Sequence, residues 1–520
     1  MKNQLDKLLK QRLQAVHSIV GINLSILLYI ITFFGIFTIF LPYIQIWEKP
    51  SRHIENVNLY KIDYEEILNY VTDKSELKEI NPINIILPGY MQDPVIKINT
   101  RFKEDLLFNP KTKEKIQDEK NSKLANFLNE LHYGAPLKKI GSYIFGLTAV
   151  GGMFLILGGI WLIIKVKYKK NSKSTTSKFS KWHRKIFIWI FIPFIIILLT
   201  GAIMKIGYEL SSPMTYLSSK GETTKVWKII GPSLFPKESN INKNNRTTKM
   251  LSLNKLIKKA KEINPNINYQ KITLINWGDS SAIAKIEGYN PYIPFFNGLS
   301  NIPSVTLSGA TGEMINQKNV FDRKWTNILY DTTFFLHILR EVDIFTRLLT
   351  AFFMFLCILG LGFGILLYLE KKARKFPLNI PVYNGFGKFC LSGMIGVIPA
   401  TGLLFFLQWL LPFDMENRFL IQKGLFAIFW IGTLTWAFYR INSYQAAKEF
   451  LYIGALFFVL SPFIHFYNSG FNPYELYTQN MINILSVDIG LFIFGALLYF
   501  VAKKLPSQRK TVQEFWAKRL

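Results

Sequence analysis

Cysteine is almost absent: Cys357 and Cys390 are the only two in 520 residues, and both lie in or beside apolar runs. Two cysteines so placed exclude a disulfide scaffold and a thiolate metal site. The sequence also lacks a P-loop, a dinucleotide-binding glycine fingerprint and a flavin-binding segment. Any electrons it handles must therefore come from a separate donor. Acidic residues are scarce, 34 against 62 Lys and Arg, which gives a net charge of +28. Histidine is rarer still, with six in the whole chain.

Apolar residues are abundant and come in blocks. Half of the residues are hydrophobic and 15% are aromatic. A bilayer-crossing helix needs about 20 mostly apolar residues, and eight blocks qualify: about 20–42, 141–164, 185–205, 345–369, 388–411, 420–440, 449–467 and 481–502. The first block is too long for a signal-peptide core and ends in "FLPYIQIW" without a small-residue cleavage site, so it is predicted to be an uncleaved span. The pattern predicts a polytopic α-helical membrane protein with about eight transmembrane helices.

Charge follows those spans. Residues 48–131 carry 13 basic and 15 acidic groups, and residues 205–335 carry 17 and 9. The rest of the excess flanks the spans, in the Lys-rich N-terminus, "KVKYKKNSKSTTSKFSKWHRK", "EKKARK" and "KKLPSQRK". With eight alternating spans these segments share one side, which the positive-inside bias makes the cytoplasm. The expected location is a bacterial inner membrane, with both termini cytoplasmic and lipids as the surroundings. Nucleic acid is excluded as a partner, because the charge tracks span ends rather than forming a binding patch.

Two polar inserts separate the first four spans. Each contains an amphipathic helical stretch and then strand-like runs between turn signals. The first reads "DYEEILNYVTDK", "NPINIILPGY", "DPVIKINTRF" and "DLLFNPKTKEKI"; the second reads "LNKLIKKAKEINP", "YQKITLINWG", "SAIAKIEGY" and "PSVTLSGATGEMIN". The spans repeat as well. His17 precedes Gly35 by 18 residues and His183 precedes Gly201 by 18, while His132 precedes Gly159 by 27 and His337 precedes Gly364 by 27. Two spans per half give both halves one orientation, hence a parallel repeat about an axis along the membrane normal.

The expected organisation is residues 1–47 as N-terminus and first span, and 48–131 as the first extracytoplasmic domain. Spans two and three follow at 132–207 with a basic loop between them, and a second extracytoplasmic domain at 208–336. The fourth span occupies 337–375, four additional spans 376–505 and a cytoplasmic tail 506–520. A four-helix core built from two repeats and two small α+β domains is the predicted fold.

The paired histidine-to-glycine spans and the insert ending "SVTLSGATGEMIN" resemble PepSY-associated transmembrane proteins, a group that includes iron-regulated membrane proteins and siderophore-iron reductases. The resemblance covers residues 10–375 and leaves the four C-terminal spans without an explanation. It implies PepSY-like extracytoplasmic domains, and reduction of ferric iron or a ferric siderophore.

The four repeated histidines supply the chemistry. The pseudo-twofold axis sets His17 opposite His183 at the cytoplasmic face and His132 opposite His337 at the outer face. Facing side chains in a bundle core hold cofactors, and two imidazoles at one depth suit bis-histidine ligation of haem b, once or twice per chain. Arg340, Arg347 and Arg184 are placed to contact haem propionates, with Lys185, Lys138 and Lys139 nearby in sequence. The bland reading of each histidine is an interfacial residue, half wet.

His53 and His465 have no repeat partners and read as a surface and an interfacial residue. Asp488 and Gln408 are polar groups within C-terminal spans. Asp488 reads as a hydrogen-bonding link between spans, or else as part of a quinol or proton path. Outward electron transfer to ferric iron, fed by a soluble reductase or membrane quinol, is the expected function. The alternative is a PepSY-type regulatory or binding membrane protein without redox activity.

Overall fold

The computed structural model describes residues 2–73, 80–99, 104–165, 174–207, 210–235, 241–300, 302–373 and 385–506. The expected tail beyond Pro506 and most of the basic loop after Lys165 lie outside the described residues.

The first half begins with α1 (Lys2–Ile39), a continuous helix that turns through α2 (Leu41–Trp47). The insert then supplies α3 (Glu65–Asp73), strands β1 (Ile83–Ile86), β2 (Ile96–Asn99), β3 (Leu106–Phe108) and β4 (Lys115–Ile116), and α4 (Leu124–His132). A single turn around Gly134, held in a left-handed conformation (φ +77°), leads into α5 (Lys138–Lys165).

The second half repeats this order with additions. Its span is α6 (Thr175–Trp189) and α7 (Phe191–Ala202), bent by 71° at their junction, just ahead of Pro193. Proline removes a helical hydrogen bond and clashes with the preceding turn, and so favours such a break. Two short helices, α8 (Ser212–Ser218) and α9 (Val226–Leu234), precede α10 (Leu253–Ile263). Strands β5 (Asn268–Ile275), β6 (Ile283–Tyr289), β7 (Ser304–Ser308) and β8 (Met314–Lys318) follow, then α11 (Trp325–Ile338) and α12 (Ile344–Ala373).

Among the described residues, seven helices are long and apolar enough to cross a membrane, and the bent α6–α7 pair makes eight if it is one span. The chain is a multi-pass membrane protein. Its C-terminal spans are α13 (Phe386–Met394) with α14 (Val397–Leu410), then α15 (Arg418–Tyr439) and α16 (Ser443–Ser469). The short α17 (Pro473–Thr478) turns the chain into α18 (Ile482–Lys504). α1 and α5, α6 with α7, and α12 form the four-helix bundle, and α13 packs on α1 while α18 packs on α2.

The inserts, expected as two small domains, share one sheet. Eight strands run in the order β4-β3-β2-β1-β5-β6-β7-β8, antiparallel throughout. The halves meet where β1 pairs with β5, with Ile85 opposite Ile272. Each half is thus a helix followed by a four-stranded meander, and joining them covers two edges that would otherwise expose unpaired backbone. α10 shows why it forms: Ser252 caps its first turn, and Leu253, Leu256, Ile257 and Ala260 make a buried stripe at helical spacing. That stripe and its α3 counterpart, Ile67 with Val71, pack on Ile85, Ile98, Ile272 and Ile286.

Candidate functional site

The sheet lies at one end of the bundle, and each half presents one histidine there. His132 ends α4, and His337 sits one residue from the end of α11. After each, the helix breaks through left-handed residues (Gly134 and Lys138; Leu339 and Glu341) before the next span starts. The break frees the ring from the span's own register and turns it inward. The two rings face each other with centroids 6.0 Å apart. At the other end of the bundle, His17 of α1 and His183 of α6 face each other at 6.4 Å. All four are half-buried.

The repeated glycines explain the spacing. A Cβ built on Gly35 would stand 3.1 Å from the His132 ring, on Gly159 3.2 Å from His17, on Gly201 2.9 Å from His337, and on Gly364 3.2 Å from His183. Each imidazole therefore lies against a glycine of the other span in its own half. Along α1, the 18 residues from His17 to Gly35 rise about 27 Å, close to the roughly 30 Å hydrocarbon thickness. One pair thus belongs to each face.

The ring nitrogens are sorted. His132 Nδ1 donates to the Ile31 carbonyl at 2.9 Å and His183 Nδ1 to the Gly360 carbonyl at 2.9 Å. His337 Nδ1 lies 3.1 Å from Thr200 Oγ1 and also bonds the Ile197 carbonyl. In each case the carbonyl belongs to the residue four before the facing glycine, one turn along the same helix. A proton held on Nδ1 leaves Nε2 as the lone-pair nitrogen, the arrangement that histidine ligands adopt. His17 Nδ1 is the exception, buried without a hydrogen-bond partner among the described residues.

This donor set fits a haem better than a bare ion. Among the described residues, no group of three or more His, Cys, Asp or Glu side chains converges to hold a metal ion. Two nitrogens do not close a tetrahedral site, whereas a haem iron would need only the two histidine nitrogens from the protein. His17 and His183 line a cavity of about 1290 Å³, measured out to its mouth, with Gly159, Gly364, Arg184 and Lys371.

The expected cations separate. Arg184 lines that cavity and donates to Ser180 Oγ at 2.6 Å. Arg340 leaves the histidines for the sheet, where it donates to the Tyr90 hydroxyl and sits 5.4 Å from that ring. Arg347 is buried, donates to the Ile39 carbonyl and lies 5.8 Å from the Tyr43 ring. Lys185 lies over Trp182, and Lys138 and Lys139 are exposed. Sequence reasoning missed Lys205, whose charge acts on both His132 and His337 and whose ammonium lies 3.7 Å from the Tyr133 ring. Its position four residues after Gly201, one turn along the span, was the available signal.

A second cavity, about 880 Å³ out to its mouth, opens between the sheet and the segment after His337. Tyr90, Lys271, Glu287, Tyr289, Arg340 and Glu341 line it. Burial alone would raise the Glu287 carboxyl, but Lys285 at 2.9 Å and Lys271 at 3.2 Å hold it below the usual range. Burial pushes Glu341 the other way, above that range, despite Arg340 beside it.

His53 and His465 correct the sequence reading. Neither is superficial: they are 7% and 0% exposed, with Nε2 atoms 2.8 Å apart, and His465 Nδ1 lies 2.9 Å from both Asp488 oxygens. Gln408 is also fully buried and donates to the Glu48 carbonyl at 2.7 Å.

The model of the PepSY-associated TM region matches residues 14–371, about two thirds of the sequence, so the chain belongs to that family. No curated protein matches it.

Proposed function

We propose that this family member binds haem b on two histidine pairs and passes electrons across the membrane to ferric iron or a ferric siderophore. The observation that carries the reading is the double pairing: four histidines at repeated spacings meet two by two, three of them with Nδ1 anchored on equivalent carbonyls. Interfacial histidines have no reason to face one another across a bundle.

Haem b, when bound, would supply reversible one-electron chemistry at iron. His132 with His337 and His17 with His183 would hold it, and the facing glycines leave each ring its place. Arg184 and Lys371 line the same cavity as His17 and His183, where cations would neutralise propionates. Arg347 is committed to Ile39 and Tyr43, which leaves Lys205 as the better-placed cation for the outer pair. In this reading the sheet halves are PepSY-like modules outside a bacterial inner membrane. The cavity beside Arg340 and Lys271 receives the ferric chelate, and a soluble reductase or membrane quinol supplies the electrons.

Full-length protein purified in detergent should be red and give a reduced-minus-oxidised b-type spectrum with two haems per chain. His132→Ala and His337→Ala should each remove the same haem, and His17→Ala and His183→Ala the other. Colourless protein from haem-replete cells, or folded variants that keep full haem content, would favour a regulatory binding module instead.

A further inference from the structure

We propose that Asp488, His465 and His53 form a one-proton relay that ends near the sheet side of the membrane and is closed beneath Asp488. Three hydrogen-bonding gaps stand in a row. His53 Nδ1 faces the Lys49 carbonyl at 2.9 Å, His53 Nε2 faces His465 Nε2 at 2.8 Å, and His465 Nδ1 faces the Asp488 carboxylate at 2.9 Å. Each gap is satisfied by one proton. Two neutral histidines bring two protons. The third is extra, and it offsets the carboxylate charge, so the filled cluster is neutral.

Loss of that proton leaves a buried net negative charge and one gap facing two lone pairs. A fourth proton finds no empty gap. The cluster is therefore built for a single exchangeable proton. A neutral aspartic acid costs far less to bury than a carboxylate, and Trp47 Nε1 donates to Asp488 Oδ1 at 2.8 Å in either state.

The proton's route is fixed by the atoms. Asp488 gives its O–H proton to His465 Nδ1, His465 Nε2–H passes to His53 Nε2, and the His53 Nδ1 proton, donated until then to the Lys49 carbonyl, is the one released. The products are the Asp488 carboxylate, His465 with its proton on Nδ1, His53 with its proton on Nε2, and one proton released. Burial and the neighbouring His465 hold the His53 ring down at about 3, so it passes a proton on rather than storing it. Deeper along α16 and α18, Phe458 and Leu491 are buried apolar residues in one core with Phe405, which seals that direction.

The surrounding charges are accounted for. Just after α2 comes Glu48, from the turn before His53 come Lys49 and Arg52, and from α15 comes Arg418. Lys49 is paired with Asp118, and Arg52 with Asp93 and Asp118. Arg418 donates to the Gln408 carbonyl. The α14 side presents Gln408 and Trp409, with the Trp409 ring 4.5 Å from His465. None of these cations bonds Asp488, so the extra proton is what neutralises it.

Infrared spectroscopy of the detergent-purified full chain tests this. A protonated-carboxyl band should disappear as one proton is lost with rising pH, shift on ¹³C-aspartate labelling, and be missing in Asp488→Asn. His53→Gln should move its midpoint by a pH unit or more, a tenfold change in proton affinity. The label assigns the band to aspartate even where Asp488→Asn fails to fold. An ionised or pH-invariant carboxyl, or a folded His53→Gln protein with an unmoved midpoint, would leave only a structural clasp and overturn the relay.

Discussion

At the scale of single residues, glycine and histidine define each other. Four glycines each face an imidazole that crowds the place of a Cβ, most tightly at Gly201, and Gly158 is the internal control, with nothing within 4 Å of its would-be Cβ. Gly201→Ala should push the His337 ring, costing about 1–3 kcal/mol by overpacking and lowering haem content at the outer pair. Gly158→Ala should be neutral or slightly stabilising, since alanine is the better helix former by up to about 1 kcal/mol. Thermal melts and haem-to-protein ratios of the two variants, side by side, check both statements. The repeated histidines were legible because four rare residues fell on two recurring spacings. His53 and His465 were not, since 412 residues separate them and neither has an echo in the other half. Only the fold brings such a pair together.

At the scale of elements, the apolar blocks announced the spans, while the joints between elements stayed hidden. The β1–β5 ladder links strands almost 190 residues apart in sequence, and no local pattern says which edge will meet which. Glu48 is another such joint. Its Oε2 accepts the Ala125 N–H at the start of α4, the helix that ends in His132, and its carbonyl accepts from Ser122 and Gln408. Burial, opposed by the Ala125 N–H and by Lys49, pushes its carboxyl up to about 8 from 4.5. Below about pH 4.5 folded and unfolded chains are both protonated there. Between about 4.5 and 8 only the unfolded chain releases the proton, so stability falls with rising pH through that window, by about 1.4 kcal/mol per unit at most. The detergent-solubilised protein should therefore melt at a lower temperature at pH 8 than at pH 5. Glu48→Gln, which mimics the protonated acid, should flatten that part of the profile; a slope unchanged by the substitution would place the titrating group elsewhere.

At the scale of the whole molecule, the distribution of charge bears on orientation, and orientation decides which way electrons would run in the proposed function. The segment from Lys165 to Lys185 contains nine Lys or Arg residues and no acid, whereas the first insert has an acidic excess. Lys and Arg near span ends resist translocation, and long polar segments cross with little regard to charge. On this bias the proposed function sets the basic loop in the cytoplasm and the sheet with His132, His337 and the Arg340 cavity outside. The scarcity of cysteine makes this easy to test, because both native thiols are buried. Lys255→Cys, on the exposed face of α10, should react with a membrane-impermeant maleimide in intact cells, and Lys178→Cys, on α6 beside the basic loop, only after the membrane is opened. The reverse pattern would put the sheet inside. The outer histidine pair would then face the cytoplasmic electron donors, and outward reduction of ferric iron would be untenable whatever the haem content.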